Sequence, residues 1–249
     1  MIRAASAPTL LKRPLPSGML ARELLVTATR PRALVIKVLV PLVLAVPLVA
    51  GHAPTFWAGM LLTVLCAMIG AVGAGMTVAR ARESGLLERL SVTPRRPFPI
   101  VGGWVAGGAV IDTLQLLPAI AVVIALGPTT PVSAVSLLLM ACAVLIVANT
   151  LGFVVSAAGG GAAEVLLDTV ILLAPLLFLG GLFTGVPADG WRAVAARVDP
   201  FSYLHAAFID ALGGAPAYAS VAVVAAAFAS VGAALVLIAL AAPLVLRRR

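Results

Sequence analysis

The polar side chains that could bind a substrate or react lie inside long apolar stretches of this 249-residue chain. Asp112 and Gln115 lie near the middle of an apolar run that begins around residue 100, and Asn149 lies in the next run. In a membrane, an ionisable side chain at that depth faces a protein interior or water, because contact with lipid is costly. Two interpretations follow. These residues line a path for cationic or hydrogen-bonding substrates, or they form a buried hydrogen bond in which Asp112 pairs with Asn149 or Lys37. The second interpretation is favoured.

Other kinds of chemistry find little support in the sequence. Cys66 and Cys142 stand in apolar runs without partners at metal-ligand spacing, and His52 and His205 are isolated. The chain has no glycine-rich phosphate loop ending in Lys-Ser or Lys-Thr. We therefore expect no catalytic residues, no metal and no cofactor bound by this chain. A membrane-embedded enzyme would need several reactive groups at one depth, and none is visible.

The composition indicates which environment surrounds these residues. Apolar residues make up 62% of the chain and charged residues 10%, with a net charge of +8. A soluble domain usually has about 25% charged residues. A soluble enzyme or a DNA-binding domain is therefore excluded, and we expect a lipid bilayer, not a nucleic acid, as the surrounding partner.

Six apolar stretches are long enough to cross a bilayer, which takes about 20 residues in a helix. The fold class predicted is therefore an all-α integral membrane protein. The first stretch is the weakest because it contains Lys37, Pro41 and Pro47. The predicted spans are residues 34–51, 56–78, 100–126, 132–157, 165–183 and 217–244.

The distribution of basic residues predicts the orientation. Six lysine or arginine residues precede the first span, five lie between the second and third, and three end the chain. The loops on the other side contain only Arg192 and Arg197. By the positive-inside rule, both termini are cytoplasmic. Glu164 and Asp168 then lie at the cytoplasmic start of the fifth span, where we expect them at the interface or at a helix start.

The first 33 residues form a separate cytoplasmic segment in this prediction, and residues 34–249 form one six-span domain. Residues 17–30 place Leu20, Leu24 and Leu25 on one helical arc, with Arg22 and Arg30 opposite. Such a helix lies in the membrane interface. A plain loop that only carries positive charge is the alternative.

The cytoplasmic loop of residues 79–99 contains a second amphipathic segment. Ser84 is a plausible helix cap, and Thr93-Pro94 ends the helix because a residue before proline avoids the helical region. Three leucines, Leu86, Leu87 and Leu90, fall on one face, and Glu88 and Arg89 fall on the other. We expect nothing else on this side of the chain to be large enough to cover the leucines. They therefore bind a partner protein or dip into lipid.

The outer loop of residues 184–216 predicts a short re-entrant helical hairpin. One helix is opened by Pro187, the chain breaks at Asp199-Pro200, and a second helix runs from Pro200 to about Leu212. Aromatic residues are frequent in this loop, and they fit the interfacial belt of a membrane protein.

The cytoplasmic segment also carries a family resemblance. Residues 82–94 read RESGLLERLSVTP, which closely resembles the stretch E-x-G-[ST]-L-E-R-L-x-V-[TS]-P of bacterial ABC transporter permeases. These are the type-two exporter permeases, which include the daunorubicin-resistance permeases. Leu86 departs from the usual Ser or Thr. In the outer loop, residues 180–183 and 199–203 resemble the pattern S-G-x-x-[FY]-P … P-[LF]-[ST]-[YH], with glycine in place of serine.

This resemblance implies the permease subunit of an exporter in the bacterial plasma membrane. Such six-span subunits pair as dimers of identical or related chains. Each binds a separate ATPase subunit, which holds ATP and Mg²⁺, through the short cytoplasmic coupling helix. The substrate is a hydrophobic or amphipathic drug, a lipid or a lipid-linked glycan, moved outward by alternating access. The docking residues implied are Glu83, Leu86, Leu87, Glu88, Arg89, Leu90, Thr93 and Pro94.

An ATPase-independent secondary transporter or channel is the alternative function. No inverted repeat is visible in the sequence. Paired carboxylates deep in two different spans, which a proton relay would use, are also not visible. Both observations favour the exporter.

Overall fold

The computed structural model describes residues 31–92, 96–158 and 160–245, and within these ranges all regular secondary structure is α-helical. The predicted interfacial helix of residues 17–30 lies outside the described residues, as do Thr93, Pro94 and the last four residues. The helices are α1 (Pro31–Ala50), α2 (Thr55–Glu83), α3 (Leu86–Ser91), α4 (Pro97–Leu126), α5 (Pro131–Ala157), α6 (Ala162–Leu179), α7 (Gly190–Val198), α8 (Pro200–Ala211) and α9 (Ser220–Val245).

Five of these helices, α2, α4, α5, α6 and α9, have the length and composition to cross a membrane. The apolar part of α1, Val35–Ala50, is shorter, and Pro41 and Pro47 lie inside this helix. The predicted all-α integral membrane fold is confirmed, with the first span the weakest as expected. The fifth span ends at Leu179 and not at residue 183, because Gly180 and Gly181 turn the chain, with φ of +76° at Gly181.

Helix α5 forms the centre of the bundle. It contacts α2 and α9 most extensively, and it also packs against α4, α6 and α8. Leu137, Met140 and Val144 on this helix are fully buried. By contrast, α6 and α9 lie at the periphery and expose most of their apolar surface. The core therefore surrounds α5.

Helices α2 and α5 approach each other so closely that their backbones touch. A Cβ atom added at Gly152 would lie 1.9 Å from the carbonyl oxygen of Ala71. One added at Gly70 would lie 2.7 Å from the Cβ atom of Ala148. Only glycine fits at these two positions, in agreement with the close packing that small residues permit in membrane bundles.

Hydrogen bonds from side chains connect neighbouring helix ends at both ends of the bundle. At one end, the Arg82 guanidinium donates to the carbonyl oxygen of Gly160 (3.2 Å), which joins the end of α2 to the link between α5 and α6. We call this the α3 end. At the other, the Thr129 hydroxyl donates to the carbonyl oxygen of Ala211 (2.8 Å), which joins the link between α4 and α5 to α8. We call this the α8 end.

The predicted helical hairpin is present at the α8 end. The first helix, α7, begins at Gly190 and not near Pro187, because Gly190 has a φ of +78° that interrupts a helix before it. The second, α8, begins at Pro200 as predicted. Nine of the 12 residues of α8 are buried, including Phe201 and Phe208. The expectation that the aromatics of this loop form an interfacial belt is therefore wrong for these two residues, which belong to the core.

Candidate functional site

Helix α3 follows α2 after a single sharp turn. Gly85 between them has a φ of +69°, a conformation that glycine adopts without strain. The Ser84 hydroxyl donates to the carbonyl oxygen of Ala81 (3.0 Å), so it closes the end of α2. The prediction that Ser84 caps the next helix is wrong, because Gly85 turns the chain away before α3 begins.

The three leucines of α3 share one face, as predicted, but that face is covered by the same chain. Leu87 is 7% exposed, and Leu86 and Leu90 are partly buried beside it. The expectation that nothing in the chain could cover them is wrong, because Leu87 belongs to a buried cluster that also contains residues of α2, α4, α5 and α9. The other buried residues of this cluster are Val78, Ala81, Val101, Trp104, Val105, Phe153, Ile238, Ala242 and Val245.

The opposite face of α3 points away from the bundle. Glu83, Glu88 and Arg89 are exposed, and the apolar side chain of Val92 is 58% exposed. Of the docking residues predicted by resemblance, the charged ones are therefore the accessible ones. Thr93 and Pro94 lie outside the described residues.

Arg82 joins the end of α2 to the end of α5, a role that the sequence did not predict. Its guanidinium donates to the carbonyl oxygens of Ser156 and Gly160. These carbonyls lie at the end of α5 and just after it, where the carbonyl oxygens of a helix lack the regular N–H donors of a following turn. The sequence analysis used Arg82 only as one of the basic residues that predict membrane orientation, although it is the first residue of the segment that resembles the permease family.

A buried polar cluster joins α4 to α5 within the bundle. The Asn149 side-chain amide donates to Oδ2 of Asp112 (2.8 Å) and to the carbonyl oxygen of Leu145 (2.9 Å). Both residues are almost fully buried. Gly108 makes room for the amide, since a Cβ atom there would lie 2.3 Å from Oδ1 of Asn149. The structure thus contains the Asp112–Asn149 pairing named in the sequence analysis.

Gln115 lies one turn further along α4, outside this hydrogen-bonded pair. Its side chain is 1% exposed, and neither of its polar atoms has a hydrogen-bond partner among the described residues. A buried amide left without partners costs about 1–3 kcal/mol. The structure therefore brings Asp112 and Asn149 together, and it leaves Gln115 polar but unpaired.

Asp199 at the α8 end is a buried acid that sequence reasoning treated only as a chain break. Its Oδ1 accepts the backbone N–H of Phe201 (3.0 Å) and so caps α8. Within the described part of the chain its Oδ2 has no hydrogen-bond partner, and it lies against Gly180, where a Cβ atom would come within 2.1 Å. Burial raises the pKa of this carboxyl to about 7. An aspartate directly before a proline that starts a helix is the sequence signal for such a cap.

His205 and two tyrosines tie α8 to its neighbours. Nε2 of His205 lies 3.0 Å from the carbonyl oxygen of Phe56 at the start of α2. Burial lowers the pKa of this imidazole. The rings of Tyr203 on α8 and Tyr218 before α9 stack with their centroids 4.2 Å apart. The α8 end is therefore fastened to both α2 and α9.

Glu164 and Asp168 lie near the start of α6. Glu164 is in the first turn, where the helix dipole favours negative charge. Asp168 is one turn further along, and both side chains are exposed. Their placement near the helix start agrees with the sequence-based expectation.

A known protein family matches most of the chain. The family model described as ABC-2 family transporter protein matches residues 40–242, about four fifths of the chain. The match runs from the middle of α1 to near the end of α9, so it includes both ends of the bundle and the buried pair. No curated protein and no solved structure matches the chain.

Proposed function

Because the chain belongs to the ABC-2 transporter family and is a transmembrane permease of an ABC-type transporter, we propose that it is the permease subunit of an exporter. Its substrate is a hydrophobic drug, a lipid or a lipid-linked glycan, moved outward by alternating access. ATP is hydrolysed by a separate ATPase subunit. The observation that carries this proposal is the family match over all six apolar helices together with the outward charged face of α3.

The docking surface that we propose for the ATPase consists of Glu83, Glu88, Arg89 and Val92. Val92 supplies apolar area, and the three charges set the register of docking. Leu87 has a different task, since it is buried against the bundle and anchors α3. This assignment replaces the groove-filling role that the resemblance implied for this leucine.

The α3 end faces the cytoplasm in this proposal. Arg80, Arg82, Arg89 and Arg96 belong to that end among the described residues, and Arg192 and Arg197 belong to the α8 end. By the positive-inside rule we infer that α3 faces the cytoplasm, where the proposed ATPase would bind it. Labelling of an Arg96→Cys variant by an impermeant thiol reagent should require permeabilised cells, and labelling from outside intact cells would refute the orientation.

A second permease chain, identical or related, completes the transporter in this proposal. The apolar face of α6 supports it: Leu167 and Ile171 are about 60% exposed, and Asp168 lies between them. An exposed acid within an apolar helical face is costly in lipid. Contact with a second chain would give this carboxylate a polar environment.

We propose that Asp112 has a structural role, in which it ties α4 to α5 through Asn149. The 2.8 Å hydrogen bond and the burial of both side chains support this role. Asp112→Asn should then be tolerated for all substrates, and Asn149→Leu should lower the stability of the purified protein by about 1–3 kcal/mol because it leaves a buried partner unpaired. A change of substrate selectivity in Asp112→Asn at unchanged melting temperature would instead place Asp112 in the substrate path.

Co-purification of the ATPase tests the main proposal. The tagged chain is purified from native membrane, and its partners are identified and quantified by mass spectrometry. The wild type should bring down a subunit that contains a phosphate-binding glycine loop. Two variants, Val92→Asp and the charge swap Glu88→Arg with Arg89→Glu, should reduce the recovered ATPase by about tenfold, which corresponds to about 1.4 kcal/mol of binding.

The matched control is a charge swap at the other end, Asp189→Arg with Arg192→Glu, which should leave the recovered ATPase unchanged. If both α3 variants retain the full amount of ATPase, the docking surface is wrong. If the wild type recovers no ATPase and transports without ATP, the chain works as a secondary transporter or channel.

A further inference from the structure

A long apolar cleft lies between α4, α5 and α9. Its volume is about 390 Å³, within the range of ligand-binding cavities in proteins. Small residues of α4, among them Gly102, Ala106 and Ala109, form one wall, and Cys142 on α5 and Leu235 on α9 form the others. Ala106 and Leu235 are also exposed, so the cleft opens sideways, toward the surroundings of the bundle.

The walls of the cleft offer no free polar group. Thr113 is the one hydroxyl residue in the lining, and its hydroxyl donates to the carbonyl oxygen of Ala109 (2.7 Å) within the same helix. Asp112 and Gln115 belong to α4 as well, but they do not line the cleft. The cleft is therefore separate from the buried polar cluster and selects for hydrocarbon.

The shape of the cleft suits a single hydrocarbon chain. Its wall on α4 runs from Gly102 to Leu114, which is about 18 Å at 1.5 Å per residue. A helix about 10 Å across occupies on the order of 1,400 Å³ over that length, so a helix from another chain is too large for a cleft of about 390 Å³. An extended acyl chain is narrower and can follow the length of the cleft.

Positive charge lies at one end of the cleft. Arg96 is exposed and directly precedes α4, six residues before Gly102. Basic residues beside a pocket between membrane helices favour an anionic lipid headgroup. Positive charge at one end and an apolar wall along the cleft together favour an anionic lipid as the ligand.

We propose that this cleft binds one acyl chain of an anionic phospholipid from the surrounding membrane, with the phosphate headgroup at the α3 end beside Arg96. The lipid would then fill the space between α4 and α9, whose lining does not include Asp112 or Asn149. This site goes beyond the proposed export function, since it holds a membrane lipid and not the transported substrate.

The experiment compares two glycine substitutions. A Cβ atom added at Gly102 or at Gly232 meets no other atom within 4 Å, so both positions accept a side chain. Only Gly102 lines the cleft. The full chain is purified in mild detergent, and retained phospholipid is counted by native mass spectrometry. Gly102→Phe should reduce retained phospholipid at least fivefold, and Gly232→Phe should retain the wild-type amount.

A second variant controls for the possibility that Gly102→Phe loses lipid because it misfolds. Ala106→Leu fills the same cleft from an exposed position and should also reduce retention, at an unchanged melting temperature. Equal retention by wild type, Gly102→Phe and Ala106→Leu would overturn the proposal.

The headgroup is tested in vesicles. The chain is reconstituted into phosphatidylglycerol–phosphatidylcholine vesicles that contain either lipid with a photoactivatable acyl chain. Crosslinks from phosphatidylglycerol should map to α4 and α9, exceed those from phosphatidylcholine severalfold, and fall in Arg96→Gln. Equal labelling by both lipids, or labelling that a transported drug removes, would show another occupant and overturn the proposal.

Discussion

Helices α8 and α3 are both short and amphipathic, and they close opposite ends of the same bundle. The chain buries nine of the 12 residues of α8, and Phe201 and Phe208 belong to the central core. In α3 only Leu87 is fully buried, and the charged side chains of Glu88 and Arg89 face outward. One helix is a part of the core, and the other is a surface attached to it.

This difference teaches what an amphipathic pattern does and does not determine. The pattern states that a helix has one face to bury, and it does not state which partner covers that face. At the α3 end, Leu87 is buried in a cluster that also contains residues of four other helices of the same chain. What remains for a partner protein is the polar face, which is the face that a helical wheel assigns to water.

The largest effect is expected in α8. Phe208→Ala should destabilise the protein by about 3–5 kcal/mol, because it leaves a large cavity beside α5. Trp191→Ala on the exposed face of α7 is the matched control and should change stability by no more than about 0.5 kcal/mol. Thermal unfolding in detergent measures both. Similar losses in the two variants would remove the distinction between a core helix and its exposed neighbour.

The next largest effect is a pH dependence at the α8 end. The pKa of Asp199 is raised from 3.8 to about 7, so its contribution to stability is full below pH 4 and is lost as the pH rises through 7. A pKa difference of this size corresponds to on the order of 4 kcal/mol. Asp199→Asn keeps the cap without the charge, and it should therefore stabilise the protein relative to wild type at pH 8 but not at pH 4.

His205 acts in the opposite direction, since its lowered pKa means that its protonation destabilises the protein as the pH falls. Its contribution is common to wild type and variant, so the comparison between them isolates Asp199. Melting temperatures from pH 4 to 8 provide the measurement, with Asp189→Asn, an exposed aspartate, as the control. A constant difference between wild type and Asp199→Asn over this range would contradict the burial of the charge.

A smaller effect is expected from Leu87→Ala in α3. This residue anchors the short helix at the rim of the bundle, so its loss should cost about 2 kcal/mol. Hydrogen exchange of residues 84–92 should become faster, while α8 remains protected. Glu88→Ala, on the outward face, serves as the control and should leave the exchange rates unchanged. Equal exchange in the two variants would mean that Leu87 does not anchor α3.

The smallest effect is expected from Arg82→Gln. The variant loses the bonds to the carbonyl oxygens of Ser156 and Gly160. Because the site is partly exposed and water can replace these bonds, the two together are expected to contribute about 1 kcal/mol. The melting temperature should fall slightly, and Arg89→Gln should not change it. A fall as large as that of Phe208→Ala would show that the α3 end is held as firmly as the α8 end.

Much of the fold could be predicted because the lengths of apolar runs can be read directly from the sequence. Apolar runs of sufficient length require membrane-spanning helices, and prolines such as Pro200 mark where short helices begin. The Asp112–Asn149 pair could also be predicted, since polar side chains at a similar depth in a membrane are stabilised by hydrogen bonding to each other.

What could not be predicted depends on contacts between distant segments. The burial of Asp199 results from the way α8 enters the core beside Gly180, and no local pattern encodes that contact. The role of Ser84 was misassigned because a single glycine turn decides which helix its hydroxyl closes. The bonds of Arg82 likewise reach residues more than 70 positions away.

The contact of Gly152 with the Ala71 carbonyl oxygen has a mechanical consequence. Two helices that touch backbone to backbone have no flexible side chains between them to absorb a displacement. Since α3 is joined to α2 by one turn, a push on α3 is expected to tilt α2 and α5 as one stiff lever. The far arm of that lever carries α8, so we expect the glycine contact to couple a movement at the α3 end to the α8 end.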